Sequence, residues 1–292
     1  MAETWLQATL TCPRDSLAEA EETFEGLGAL VSWTEGAGEE EILEPEPGAT
    51  PLWSRLRLTA LLPADTDRDL VSLAFPGLTL SFEFVADRDW DADWRRSLQP
   101  LRFGQRLWVC PVGKPCPDPA GVSVLLEPGL AFGTGTHPTT AMCLTWLDGQ
   151  PLAGTRILDY GCGSGILAIA ALALGAESAV AVDIDDQAVT STRDNAERNG
   201  CAARLACDRP GNLLPDGQDL RFDILVANIL SGPLVRLSPA LKRFAGPATR
   251  VALSGILAEQ AMEVIAAFRP WVSLSVTEQQ GGWVLLTGTV NR

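Results

Sequence analysis

From residue 122 onward, short apolar runs alternate with stretches of helical spacing, and this alternation limits the possible folds more than any single motif. TRILDY (155–160), AVAVDID (179–185), ARLACD (203–208), FDILVANIL (222–230) and TRVALSGI (249–256) each read as a strand followed by helical sequence or a loop. Strands that are apolar throughout need cover on both faces, and strands joined through helices run parallel. The solution is a parallel sheet between two helical layers. The last part breaks the pattern. VSLSVTE (272–278) reaches WVLLTGTV (283–290) through QQGG, which leaves no room for a crossover helix, so these two runs pair as an antiparallel hairpin.

The N-terminal part reads differently. TWLQATL (4–10) alternates, SLAEAEETFEGLG (16–28) has helical spacing and ends in glycine, and ALVSWTE (29–35) is strand-like. RLRLTALL (55–62), a short helix near 66–74 and LTLSFEFV (78–85) follow. That order, βαββαβ, predicts a small α+β domain of ferredoxin-like type. In RDWDADWRRSLQPLRFGQRLWVC (88–110), Trp90 and Trp94 share one helical face beside Arg95 and Arg96, which predicts a connecting helix. PVGKPCPDPAG (111–121) is a proline-rich loop. The expected division is residues 1–87, a connecting helix and linker over 88–121, and a larger domain over 122–292.

Charge separates the same parts. Residues 1–87 hold 17 Asp and Glu against four Arg and no Lys, a net of −13, so only −2 of the chain's −15 is left for the rest. Such a surface repels nucleic acid, whose binding rests on Lys and Arg displacing counterions, and either attracts a basic protein or serves solubility alone. Seven cysteines without a CxxC pair, and a single histidine, do not make the usual zinc sites, so free thiols and no metal are expected. The start, MAETWLQATL, lacks the basic and apolar segments of a signal peptide, and ILAIAALALGA (166–176) is too short to span a bilayer. A cytoplasmic protein without membrane attachment is the expectation.

The candidate site begins where the run 155–160 meets Gly161-Cys162-Gly163-Ser164-Gly165 and then a helix. Glycines at such a turn let backbone amides approach a ligand, and ligands of open α/β sheets bind at the carboxyl ends of the strands. Asp183 closes the next strand 22 residues after Gly161, where a carboxylate accepts hydrogen bonds from ribose hydroxyls. The spacing is GxGxG rather than GxGxxG, and the sheet ends in a hairpin. Both favour S-adenosyl-L-methionine over a nicotinamide dinucleotide. From the glycine turn alone, a nicotinamide oxidoreductase and a non-catalytic binding module remain open.

The segments FGTGTHPTT, LDYGCGSGILAIAALALGA, DIDDQAV and NIL, with DWRRSLQPLRFGQRLWVCP, resemble the family of methyltransferases of large-subunit ribosomal protein eleven over essentially the whole chain. The resemblance implies a seven-stranded Rossmann-like domain that uses S-adenosyl-L-methionine, preceded by a small substrate-recognition domain. It implies methylation of lysine side chains and of the N-terminal amine of that ribosomal protein; a monomer acting on the free or ribosome-bound protein is the expectation. Thr140, Gly161, Asp183 and Asn228 match the family's cofactor-contacting positions, and Gly163 and Gly165 complete the glycine turn. A similar enzyme acting on lysines of the electron-transfer flavoprotein β subunit is the alternative.

Two site residues take roles from this frame. Asn228 ends its strand beside the transferred methyl group, where its side-chain carbonyl can orient an amine. The sequence after it, Ile229-Leu230-Ser231, lacks the two prolines and aromatic ring that suit flat substrates, so an aliphatic amine fits better. Pro138 suits the first position of a helix through TTAMCLTWL, which makes His137, the only histidine, a neighbour of the N-cap and Thr140 the N3 residue. The FGTGT stretch before it is expected to fold over the cofactor.

Overall fold

The computed structural model of the chain describes residues 4–37, 54–86, 99–126, 136–214 and 220–291. Two compact units result, Met1–Arg96 and Ser97–Arg292. No described helix is long and apolar enough to cross a membrane.

The first unit contains β1 (Thr4–Pro13), α1 (Leu17–Gly26), β2 (Val31–Gly36), β3 (Arg55–Pro63), α2 (Arg68–Ala74) and β4 (Leu80–Ala86). Its four strands lie in the order β2-β3-β1-β4, with every pairing antiparallel. This is the ferredoxin-like arrangement expected from the sequence. Strand alternation produces it, because Leu6, Ala8 and Leu10 lie opposite Leu62, Ala60 and Leu58 on one face. That face is buried against Phe24 of α1 and Val71 of α2.

The second unit continues with β5 (Leu101–Phe103), β6 (Leu107–Pro111), β7 (Val122–Leu126), α3 (Pro138–Asp148), β8 (Arg156–Tyr160), α4 (Ile166–Ala173), β9 (Ser178–Val182) and α5 (Asp186–Arg198). There follow β10 (Leu205–Asp208), α6 (Pro210–Leu213), β11 (Phe222–Asn228), α7 (Ser231–Leu241), β12 (Ala245–Leu257), α8 (Ala261–Phe268), β13 (Ser273–Gln280) and β14 (Trp283–Thr289). The seven-stranded sheet has the order β10-β9-β8-β11-β12-β14-β13. Five strands run parallel, and the terminal hairpin adds two antiparallel ones. Both faces are covered, as the unbroken apolar strands require. Ile157, Ile224 and Val226 enter one core, while Leu158, Leu225 and Ala227 enter the other.

One expectation needs correction. The helix drawn from Trp90 and Trp94 falls in residues 87–98, outside the described residues, but the segment beyond it is not helical. Residues 101–111 form an antiparallel hairpin, β5 with β6, and β6 pairs in parallel with β7. This small sheet belongs to the second unit, where Phe103, Leu107, Val109 and Val124 join the main core. The turn that reverses the chain is held from a distance. The Asp148 carboxylate at the end of α3 accepts from the Gln105 amide (2.6 Å) and the Arg106 amide (3.3 Å), and Arg106 Nε lies 3.1 Å from its other oxygen. Gly104 adopts φ +63°, and a Cβ there would overlap the same carboxylate.

Gly104→Ala is therefore expected to lower the unfolding free energy by roughly 1–3 kcal/mol, through left-handed strain and displacement of Asp148. Denaturant unfolding checks this, and a variant as stable as the parent would contradict it.

Candidate active site

The parallel strands β9, β8 and β11 end side by side, and the expected site residues lie at those ends. Gly161, Gly163 and Gly165 all take left-handed conformations, with φ of +80°, +55° and +78°. Only glycine adopts three such conformations in five residues without strain. Gly165 is the N-cap of α4, and a Cβ there would stand 2.7 Å from the Thr192 methyl group. A Cβ at Gly161 would strike the side chain of Ile229, just beyond β11. The turn is thus fitted tightly between its neighbours.

Its amides are used differently from the expectation that they face a ligand. Gly161 N and Cys162 N both donate to the Val182 carbonyl (2.8 and 3.1 Å), and Gly165 N donates to the Cys162 carbonyl (2.8 Å). Gly163 N donates to Asp183 Oδ2 at 3.0 Å. These four amides are spent inside the protein, so they offer no cluster of free N–H groups to a diphosphate. A cationic sulfonium nucleoside, which carries no phosphate, suits such a turn better. Asp183 also accepts from the Asp185 amide at 3.1 Å, which ties the turn to the start of α5. Its carboxylate oxygens keep further acceptor capacity for hydroxyl donors.

On the other side, Asn228 ends β11 and its Nδ2 donates to Thr140 Oγ1 at 3.2 Å. Thr140 is fully buried and stands at N3 of α3, as predicted. Asn228 Oδ1 is buried without a hydrogen-bond partner. Val226 pairs with Asp159, so Asn228, two residues further, lies level with the glycine turn.

His137 is itself the N-cap of α3 rather than its neighbour. Its Nδ1 accepts from the Thr139 amide at 3.3 Å and lies 2.7 Å from Thr139 Oγ1. Its ring meets Trp283 edge-on, with centroids 5.1 Å apart. Burial pushes its pKa below the ordinary histidine value, which keeps the imidazole neutral and able to accept. Phe132 to Gly135 lie outside the described residues.

Two residues were not singled out from the sequence. Asp159 of β8 is fully buried beneath the glycine turn. Its Oδ2 accepts from the Ala168 amide in the first turn of α4 (3.1 Å), while Oδ1 has no partner. Burial pushes its pKa up to about 7, against the pull of that hydrogen bond and with help from the nearby Asp183 charge. Ile184, directly after Asp183, is 79% exposed. An apolar side chain so bare at a strand end offers a flat surface to a purine. A carboxylate directly after Ile157 and Leu158 and an isoleucine inside DID were the available signals.

The residues fit S-adenosyl-L-methionine. Asp183 would take the ribose and Ile184 the base. The lone buried oxygen of Asp159 would take a polar group of the methionine end, which leaves Asn228 Oδ1 for the methyl acceptor. Among the described residues no group of His, Cys, Asp and Glu is placed to hold a metal ion.

Comparison with known proteins agrees. The sequence profile of the family described as ribosomal protein L11 methyltransferase matches residues 4–291. The chain belongs to that family. Proteins of that name from Pseudomonas aeruginosa strain LESB58 and Azotobacter vinelandii are both 49% identical to it, over 97% of this chain and 98% of theirs. The relative from Hahella chejuensis is 44% identical over the same shares. A crystal structure of the ribosomal protein L11 methylase from Lactobacillus delbrueckii subsp. bulgaricus is 31% identical with a TM-score of 0.60, covering 67% of this chain and all of that one. The family is one of S-adenosyl-L-methionine-dependent protein methyltransferases, which removes the nicotinamide oxidoreductase and the non-catalytic module as readings.

The raised pKa of Asp159 makes a pH prediction. Its ionisation is harder in the folded chain, so the stability it contributes is complete below the ordinary carboxylate pKa and is lost as pH rises to about 7. Unfolding free energy should therefore fall more between pH 5 and pH 8 in the parent than in Asp159→Asn. Parallel pH profiles would show that Asp159 is not the cause.

Proposed function

We propose that the chain transfers methyl groups from S-adenosyl-L-methionine to lysine side chains and the N-terminal amine of ribosomal protein L11, free or in the ribosome, as a cytoplasmic monomer. The relatives quoted above carry that substrate in their names, and none of them is named for the electron-transfer flavoprotein β subunit. The observation that carries the chemistry is the side chain of Asn228, anchored on Thr140 through Nδ2 and left with a bare buried acceptor at Oδ1.

Bound cofactor supplies an electrophilic methyl group on a sulfonium centre. The chain's own residues hold the acceptor. An amine entering at the end of β11 gives an N–H to Asn228 Oδ1, which fixes the nitrogen and aims its lone pair. Leu230, 42% exposed just beyond, suits the aliphatic stem of a lysine. The residues that follow Asn228, Ile229-Leu230-Ser231, provide no proline pair or aromatic ring to stack a flat amide or base.

A lysine amine, with an ordinary pKa of about 10.4, must shed its proton before it attacks. Burial in low dielectric favours the neutral form, so the proton can leave to water as the side chain enters. Holding two reactants in line is worth up to roughly 7–11 kcal/mol, enough for positioning rather than general-base catalysis to dominate.

In the same reading, the first unit recognises the ribosomal protein and the second performs the chemistry. The charge of residues 1–87 supports this, because a −13 surface draws in a basic partner. The second unit has cores of its own on both faces of its sheet, so it does not depend on the first for burial.

Asn228→Ala should slow single-turnover methylation at least tenfold, in line with loss of an interaction worth roughly 1–3 kcal/mol. Cofactor affinity should change less. A parent-like rate would refute the orienting role. A chain beginning at Ser97 should still bind S-adenosyl-L-methionine by calorimetry but fail to methylate intact ribosomal protein L11. Equal methylation by the short and full chains would take recognition away from the first unit.

A further inference from the structure

Beyond the residues that face the cofactor, α5 and its C-cap carry three buried or half-buried polar side chains along one face, Thr192, Asn195 and the C-cap Asn199, spaced by three and then four residues. Such spacing places them one above another on a helix. Elsewhere the same helix buries Ala188, Val189 and Ala196, so polar groups among them need partners. Their partners are the backbone of the site. Thr192 Oγ1 donates to the Gly163 carbonyl at 3.0 Å. Asn195 Nδ2 donates to the Ser164 carbonyl, the next one along, also at 3.0 Å. Asn199 takes both polar groups of Leu125 in β7, donating from Nδ2 to its carbonyl and accepting from its amide, each at 2.7 Å.

Gly163 is thereby pinned at both ends: its amide on Asp183 and its carbonyl on Thr192. Asp183 follows β9, three residues before α5, and Thr192 lies about two turns into that helix. A glycine peptide rotates at little steric cost, and Gly163 sits at φ +55°. The turn's own Gly165–Cys162 bond and the Val182 carbonyl fix its other peptides, but the Gly163 carbonyl depends on the helix.

We propose that Thr192 is a positioning residue for the methyl-transfer reaction: its hydroxyl locks the Gly163 carbonyl and so keeps the turn, and Asp183 with it, in the cofactor-binding form. Asn195 secures the following carbonyl, and Asn199 anchors the helix to β7, so that α5 works as a splint across the site. Thr192 reaches the cofactor only through the turn. Losing its hydroxyl therefore weakens S-adenosyl-L-methionine binding while leaving the rate at saturation nearly intact, because Asn228 and Thr140 lie on the other side.

The test compares Thr192→Val, which keeps shape and removes the hydroxyl, with Thr192→Ser, which keeps the hydroxyl and removes the methyl group. Titration calorimetry gives Kd for S-adenosyl-L-methionine, and steady-state methylation gives KM and kcat. Thr192→Val should raise both Kd and KM for the cofactor roughly tenfold, the scale of one unmet buried hydrogen bond, with kcat within about twofold of the parent. Thr192→Ser should stay within about threefold of the parent in Kd. If Thr192→Val does not fold, Thr192→Ala, which adds no bulk, takes its place. A folded hydroxyl-free variant with the parent's Kd overturns the proposal. So does a serine variant as impaired as the valine one, since packing of the methyl group against Gly165 would then be the cause. So does a loss confined to kcat.

Discussion

The turn from β8 into α4 is the constraint on which the catalytic unit depends. A strand that ends in the middle of a sheet must reverse into a helix within five residues while leaving no buried backbone group unsatisfied. Three left-handed glycines make the reversal possible, and the Val182 carbonyl and Asp183 carboxylate absorb its amides. Because those acceptors stand at the end of β9, β8 cannot part from β9 without breaking the turn. Ile229, just beyond β11, stands where a Cβ on Gly161 would be, so the turn is also fitted against the end of β11. The proposed cofactor and methyl-acceptor positions thereby rest on three adjacent strand ends.

Much of this architecture is legible in the sequence, and the reasons are local. Apolar runs and helical stretches announce the parallel sheet, and QQGG announces the terminal hairpin. The glycine turn and Asp183 are legible because their spacing reflects one strand–turn–helix–strand unit. What escapes is whatever depends on a distant partner. The hairpin at 101–111 has strands of three and five residues, and the group that holds its turn is Asp148, more than forty residues away. The partnership of Asn228 with Thr140 spans 88 residues. Asp159 reads as a single acidic letter in RILDY, and only a sheet covered on both faces makes it a buried carboxylate. His137 falls between: proline after it marks a helix start, but which residue caps the helix is decided by side-chain geometry.

The chemistry explains an otherwise odd economy of titratable groups. Methyl transfer to an amine needs alignment and a dry, shaped entrance more than it needs proton shuttles. A chain with one histidine can use that histidine as a helix cap, kept neutral by burial. The polar groups that matter are amides, hydroxyls and carboxylates held by hydrogen bonds, and their value lies in where they point.

The order of the last two strands has a consequence for how the molecule comes into being. In the sheet, β14 lies between β12 and β13, although β13 precedes it along the chain. Until residues 283–289 are in place, β13 has no neighbour to pair with, and one edge of β12 stands open with Val251, Leu253 and Ile256 on it. A nascent chain that has emerged only as far as β13 thus exposes an unpaired strand and an open sheet edge at once, a state prone to pairing with other chains. Closure comes as a single late event, in which β14 slots in and satisfies both.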